Sequence, residues 1–121
     1  MSELLVVVGL KAKPDKEDQL RRDLSVLVEP SRKEDGNISY DLFEDQNEPG
    51  LFVFVEEWSS TDARKKHHEC SSHIQNFHAG GVSNVDTTRF AHILKRVAST
   101  GTSSEKRSCF EAAWAHAKGY T

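Results

Sequence analysis

Two successive β-α-β units joined by a hairpin predict an α+β subunit, a four-stranded antiparallel sheet with both helical regions on one face. Three observations lead there. Residues 4–13 open as a β-branched and aliphatic run, residues 51–58 form an aromatic-rich run of high β-propensity, and each is followed by a stretch with helical spacing or caps and then an alternating segment.

Taken in order, LLVVVGLKAK (4–13) reads as a strand that starts buried and ends alternating, with Lys11 and Lys13 toward water. Pro14-Asp15 follows, with Asp15 placed to cap a helix in which Leu20, Leu24, Leu27 and Val28 recur up to about Ser31. Asp35-Gly36-Asn37 is turn chemistry, and Ile38, Tyr40 and Leu42 then alternate with polar residues as in a half-buried strand. After a turn containing Asn47, Pro49 and Gly50, LFVFVEEW (51–58) begins the second unit. Ser60 or Thr61 caps a helix to about Cys70, and Ser72 with Gln75 forms a capping-box pattern that restarts it near His73. Gly80-Gly81 ends this region, and residues 85–97 alternate loosely as a final strand. The order is that of a ferredoxin-like βαββαβ subunit spanning residues 1–97, with one sheet face uncovered, so a homodimer through that face is expected. The Ser/Thr/Gly-rich stretch 98–104 reads as a linker, and Phe110, Ala113, Trp114 and Ala117 have the spacing of a short docking helix within the 98–121 tail.

With 121 residues, 36% hydrophobic and 29% charged, the chain suits one core. A formal charge of −3 supplies no net positive field for a phosphate backbone, so no nucleic-acid partner is expected. The longest apolar run, Leu4 to Val8, is far short of a membrane span, and Met1-Ser2-Glu3 lacks a basic secretory start; the expectation is a cytoplasmic protein with no membrane partner. Cys70 and Cys109 read as two reduced thiols without a chemical role.

Three segments taken together, EPSRKEDGNISYDLFED (29–45), FVFVEEWSS (52–60) and HHECSSHIQNF (67–77), resemble the antibiotic biosynthesis monooxygenase family over roughly residues 4–97. The resemblance implies a ferredoxin-like subunit that dimerises through its sheet into an α+β barrel. It also implies cofactor-independent oxidation, by molecular oxygen, of small electron-rich aromatics such as quinols and anthrones. The family pattern has a His after the Glu-Trp strand and another five positions later. His68 and His73 match that spacing, whereas His67 lies at the usual distance from Trp58, so either neighbour fits the first position.

Such chemistry needs a base and a dry apolar cavity, since the substrate supplies the electrons. Histidine is suited to the base, its ordinary pKa of about 6.5 lying near working pH. The candidates are His67 and His68, with His73 to orient or shuttle protons. Tyr40, Trp58 and Arg89 are candidates to stabilise an oxyanion, and Phe54 and Phe77 to exclude water. The blander reading is also open: His67 or His68 on a solvated helix face beside Lys65, Lys66 and Glu69, and the aromatics as ordinary core.

No metal is expected, because histidines five or six apart do not share one helix face and His78 and His92 lack partner spacing. Haem is disfavoured because related enzymes use an Asn on the first strand, and residues 4–13 contain none. An RNA-recognition module has the same element order, but its stacking aromatic is missing from the first strand. The remaining alternatives are a small-molecule isomerase or a non-catalytic ligand-binding dimer of the same fold.

Overall fold

The computed structural model describes residues 3–99. The elements are β1 (Leu4–Ala12), α1 (Glu17–Ser25), α2 (Val28–Arg32), β2 (Asn37–Glu44), β3 (Leu51–Trp58), α3 (Thr61–Cys70), α4 (Ser72–Ala79), a 3-10 turn (Gly81–Asn84) and β4 (Val85–Leu94). The sheet runs β2-β3-β1-β4 with every neighbour antiparallel, which is the ferredoxin-like order. The tail with its helical spacing at Phe110 to Ala117 lies outside the described residues.

Alternation decides which side chains enter the core. Leu4, Val6 and Ala12 of β1, and Phe52, Phe54 and Trp58 of β3, are buried on the helix side. Leu20, Leu24 and Leu27 meet them from the first helical region and Ile74 from α4. The opposite face presents Leu5, Val7, Val53 and Val55 in register, continued at the edges by Phe43 and Leu94, which are largely exposed. Gly9 admits the Phe90 ring on that face: a Cβ there would come within 2.5 Å of it. Among the described residues no helix is long and apolar enough to cross a membrane.

Several local expectations change. The first helix is two, because Pro30 has no N–H to return to the Val26 carbonyl, so the ladder breaks before it. Asp15 does not cap; it takes φ 69 in the turn, and Lys16 holds the cap position without a side-chain bond. The α3–α4 break falls as expected, but Ser71 occupies the cap position, and Gln75 reaches back to the carbonyls of His68 and Glu69. β4 stops at Leu94 rather than continuing to residue 97.

Candidate active site

A cavity of about 290 Å³ lies between the sheet and the helices. Its apolar wall includes Val8, Leu10 and Phe54 from the sheet and Leu24, Ile74 and Phe77 from the helices. Against this wall stand a few polar groups: Tyr40, Glu56, Arg64 and His67, with His68 and His78 beside them. An apolar pocket with few convergent polar groups is the usual form of a small-molecule site.

The break at Ser71 organises its chemistry. α3 starts on Ser60, whose Oγ accepts from the Ala63 amide at 3.1 Å, and it ends at Cys70. Its first turn rests on Gly36, where a Cβ would lie 2.5 Å from that of Ala63 and the backbone takes φ +84; the Gly36 carbonyl accepts from the Ser59 amide at 2.7 Å. This fastening holds the loop with Glu34 against the helix with His67. Glu34 is the hub of a network: its Oε1 lies 3.1 Å from His67 Nδ1, and its Oε2 lies 3.0 Å from His73 Nε2 and accepts from Ser71 Oγ at 2.6 Å. A carboxylate only accepts, so His67 donates from Nδ1 and carries its lone pair on Nε2. Among the described residues no buried polar side-chain atom lacks a partner, so Nε2, which has none within the protein, is reachable from the cavity that His67 lines. Burial lowers the His67 pKa, opposed by the bond to Glu34, and favours the neutral ring.

Sequence reasoning missed Glu56. It is 6% exposed and in phase with Phe52, Phe54 and Trp58 on the buried face of β3, a position at which a carboxyl was itself the signal. Trp58 donates Nε1–H to Glu56 Oε1 at 3.0 Å. The other oxygen has no partner within the protein and, by the same accounting, reaches the cavity. Burial raises the Glu56 pKa, opposed by the Trp58 bond and the Arg64 charge, with Glu34 adding to the rise.

Of the sequence candidates, Tyr40, Phe54, His67, His68 and Phe77 line the cavity. His67 is the buried member of the adjacent pair and His68 is exposed at the rim, its ring 5.8 Å from that of His78. His73 stands behind His67, ring to ring 5.8 Å, with its Nε2 2.9 Å from Ser31 Oγ. Trp58 is fully buried behind the wall, and its single donor serves Glu56 rather than an oxyanion. The Tyr40 hydroxyl stays protonated, since burial pushes its pKa well up, with the nearby Ser31 opposing the rise. Arg89 does not reach the cavity; it pairs with Glu48, the partner also of Lys11.

The expectation about histidine spacing needs correction. On one continuous helix His67 and His73 would diverge, but the extended backbone at Ser71 turns α4 back so that both meet Glu34. Their three donor atoms lie within 4.8 Å of one another, a set of ligand types that a divalent ion accepts. In this arrangement the carboxylate holds the His67 imidazole by a hydrogen bond, with His73 Nε2 3.0 Å away and bonded to Ser31, and an ion would have to displace the His67 proton.

Residues 4–80, which carry β1 through α4 and hence most of this cavity, match the family model for antibiotic biosynthesis monooxygenase. The chain belongs to that family. It is 42% identical over 72 residues, 60% of this chain and 75% of the relative, to the "Putative monooxygenase YcnE" of Bacillus subtilis (strain 168). To the "Putative monooxygenase Rv0793" of Mycobacterium tuberculosis it is 35% identical over 78 residues, 64% and 75% of the two chains. The crystal structure of PA3566 from Pseudomonas aeruginosa superposes with a TM-score of 0.75 at 30% identity, covering 81% of this chain and 97% of that one. Within the antibiotic biosynthesis monooxygenase frame, the inward histidine of this chain is His67.

Proposed function

We propose that this cavity deprotonates a small electron-rich aromatic of quinol or anthrone type and lets the resulting anion react with molecular oxygen, the substrate itself supplying the electrons. The observation that carries this reading is the His67–Glu34 pair. It presents a neutral imidazole lone pair to an apolar space, with the opposite nitrogen fixed on a carboxylate.

His67 Nε2 takes a proton from the acidic position of the substrate. The electron pair left behind passes to oxygen and forms a carbon–oxygen bond. For a ring methylene, CH₂ + O₂ gives C=O + H₂O: one oxygen stays on carbon, and the other leaves as water with the two methylene hydrogens. Glu34 orients His67 and stabilises its protonated form, and His73, 3.0 Å from the same carboxylate, relays the proton outward. Phe54 and Phe77 keep water from the anion, and His68 marks the mouth. We further propose a homodimer through the apolar sheet face, where Leu5, Val7, Val53 and Val55 would be covered; light scattering giving a monomer mass would contradict it.

The test is oxygen uptake with a panel of quinols and anthrones. His67→Ala is expected to lose about 10²- to 10⁴-fold, the contribution of a general base, while His68→Ala keeps turnover. Equal rates for wild type and His67→Ala would contradict the assignment.

A further inference from the structure

The proton-abstraction reading leaves Glu56 unused. A carboxyl inside an apolar wall costs stability unless it is paired, and only one of its oxygens is paired. Indole Nε1–H donates only, so the paired oxygen, Oε1, is an acceptor. When Glu56 is neutral its proton therefore sits on Oε2, the oxygen that reaches the cavity. His67 packs against the same indole: the His67 and Trp58 rings are 4.8 Å apart, while Nε1 reaches Glu56, and the His67 and Glu56 side chains both line the cavity. One cavity is thus lined by the His67 lone pair and by a carboxyl whose burial favours its neutral form, both in contact with Trp58. Two titratable groups pushed by their surroundings toward neutral base and neutral acid are the usual sign of divided proton roles.

We propose that Glu56 Oε2 donates a hydrogen bond to a second oxygen of the ligand, so that the site selects aromatics bearing an acidic position and, across the ring, an oxygen that accepts. This rests on the His67 reading for the acidic position and adds the partner that holds the opposite end. In an anthrone or a hydroquinone, that second oxygen is where negative charge accumulates when the proton leaves. Glu56 thereby favours the anion over the neutral substrate. The groups that act on Glu56 are Arg64 from α3, Tyr40 from β2, Trp58 from its own strand and Glu34 from the loop before β2, and His67 of α3 lines the same cavity.

The test uses redox-inert probes, so it does not depend on turnover. Binding of 4-hydroxyacetophenone, with a phenol and an acceptor carbonyl across one ring, is compared with that of 4-ethylphenol, which lacks the carbonyl oxygen. Wild type is expected to prefer the ketone about tenfold, the value of one buried hydrogen bond. Glu56→Gln is expected to keep the preference, since an amide accepts from Trp58 and donates into the cavity as the neutral acid does. Glu56→Leu, which suits the apolar wall and is checked for folding by near-ultraviolet circular dichroism, is expected to bind both probes alike. Raising the pH until Glu56 ionises should erode the wild-type preference relative to Glu56→Gln, ligand ionisation being common to both. A preference retained in Glu56→Leu, or lost in Glu56→Gln together with Glu56→Leu, would overturn the proposal. If His67→Ala leaves oxygen uptake intact while the Glu56 pattern holds, the base assignment fails and the ligand class stands.

Discussion

Replacing Glu34 by alanine removes one carboxylate and strands two donors, His67 Nδ1 at 3.1 Å and Ser71 Oγ at 2.6 Å, while His73 Nε2 keeps Ser31 Oγ at 2.9 Å. A buried donor left without a partner costs about 1–3 kcal/mol. Here His67 is buried, while the Glu34 side chain is 21% exposed, so water entering its place recovers part of the loss. The sum is set at about 2 kcal/mol, which for a domain of this size corresponds to roughly 8–16 °C in Tm. Catalytically the sign is fixed by which partner raises what. The hydrogen bond and the charge of Glu34 both raise the His67 pKa against the lowering by burial, so the variant's pKa lies lower still. The acid limb of kcat/KM, which reports the base in the free enzyme, then moves to lower pH while the plateau falls because the ring is no longer oriented. Differential scanning calorimetry and a pH series of initial oxygen-uptake rates measure the two effects. A Tm unchanged within about 2 °C, or an acid limb that moves upward, would show that Glu34 neither anchors these groups nor raises the His67 pKa.

Gly36→Ala forces a side chain into φ +84 and places its Cβ 2.5 Å from that of Ala63, so a loss of about 2–4 kcal/mol is expected in a urea titration, with activity falling alongside as α3 shifts. Glu56→Gln should raise Tm at neutral and alkaline pH. Burial holds the folded Glu56 pKa above its ordinary 4.5, so the stability this group contributes is full below 4.5 and is lost as pH rises through the folded value. Thermal melts from pH 4 to 8 should therefore show the gap between variant and wild type widening upward. Arg89→Ala should leave oxygen uptake unchanged, since Arg89 pairs with Glu48 outside the cavity.

The fold was legible because period-2 and period-3.6 patterns and turn residues act locally. LFVFVEEW reads as a strand on β-propensity and forms β3, and Asp35-Gly36 turns the chain into β2, which starts at Asn37. The helix break before Val28, set by Pro30, was equally local, but spacing that continued through Leu27 and Val28 hid it. The site was half legible. His67 and His68 differ by one residue, about 100° of helix rotation, and which one faces inward depends on where Ser60 starts α3, a matter of one position. The meeting of His67 with His73 depends on the extended backbone at Ser71, and that of both with Glu34 on a long-range contact that no spacing encodes. Arg89 failed as a candidate because the registers of β1 with β4 shift beside it, between Gly9 and Leu10. Glu56 was readable: a carboxylate in phase with Phe52, Phe54 and Trp58 asks for a reason to be buried.

If His67 takes a proton from the ligand before oxygen takes part, the step runs without oxygen and is followed by exchange of the methylene protons of anthrone in D₂O by NMR. Wild type should accelerate exchange well above the buffer rate, and His67→Ala should return it to that rate. Exchange that is no faster with wild type than with buffer, or that survives in His67→Ala, would contradict the account.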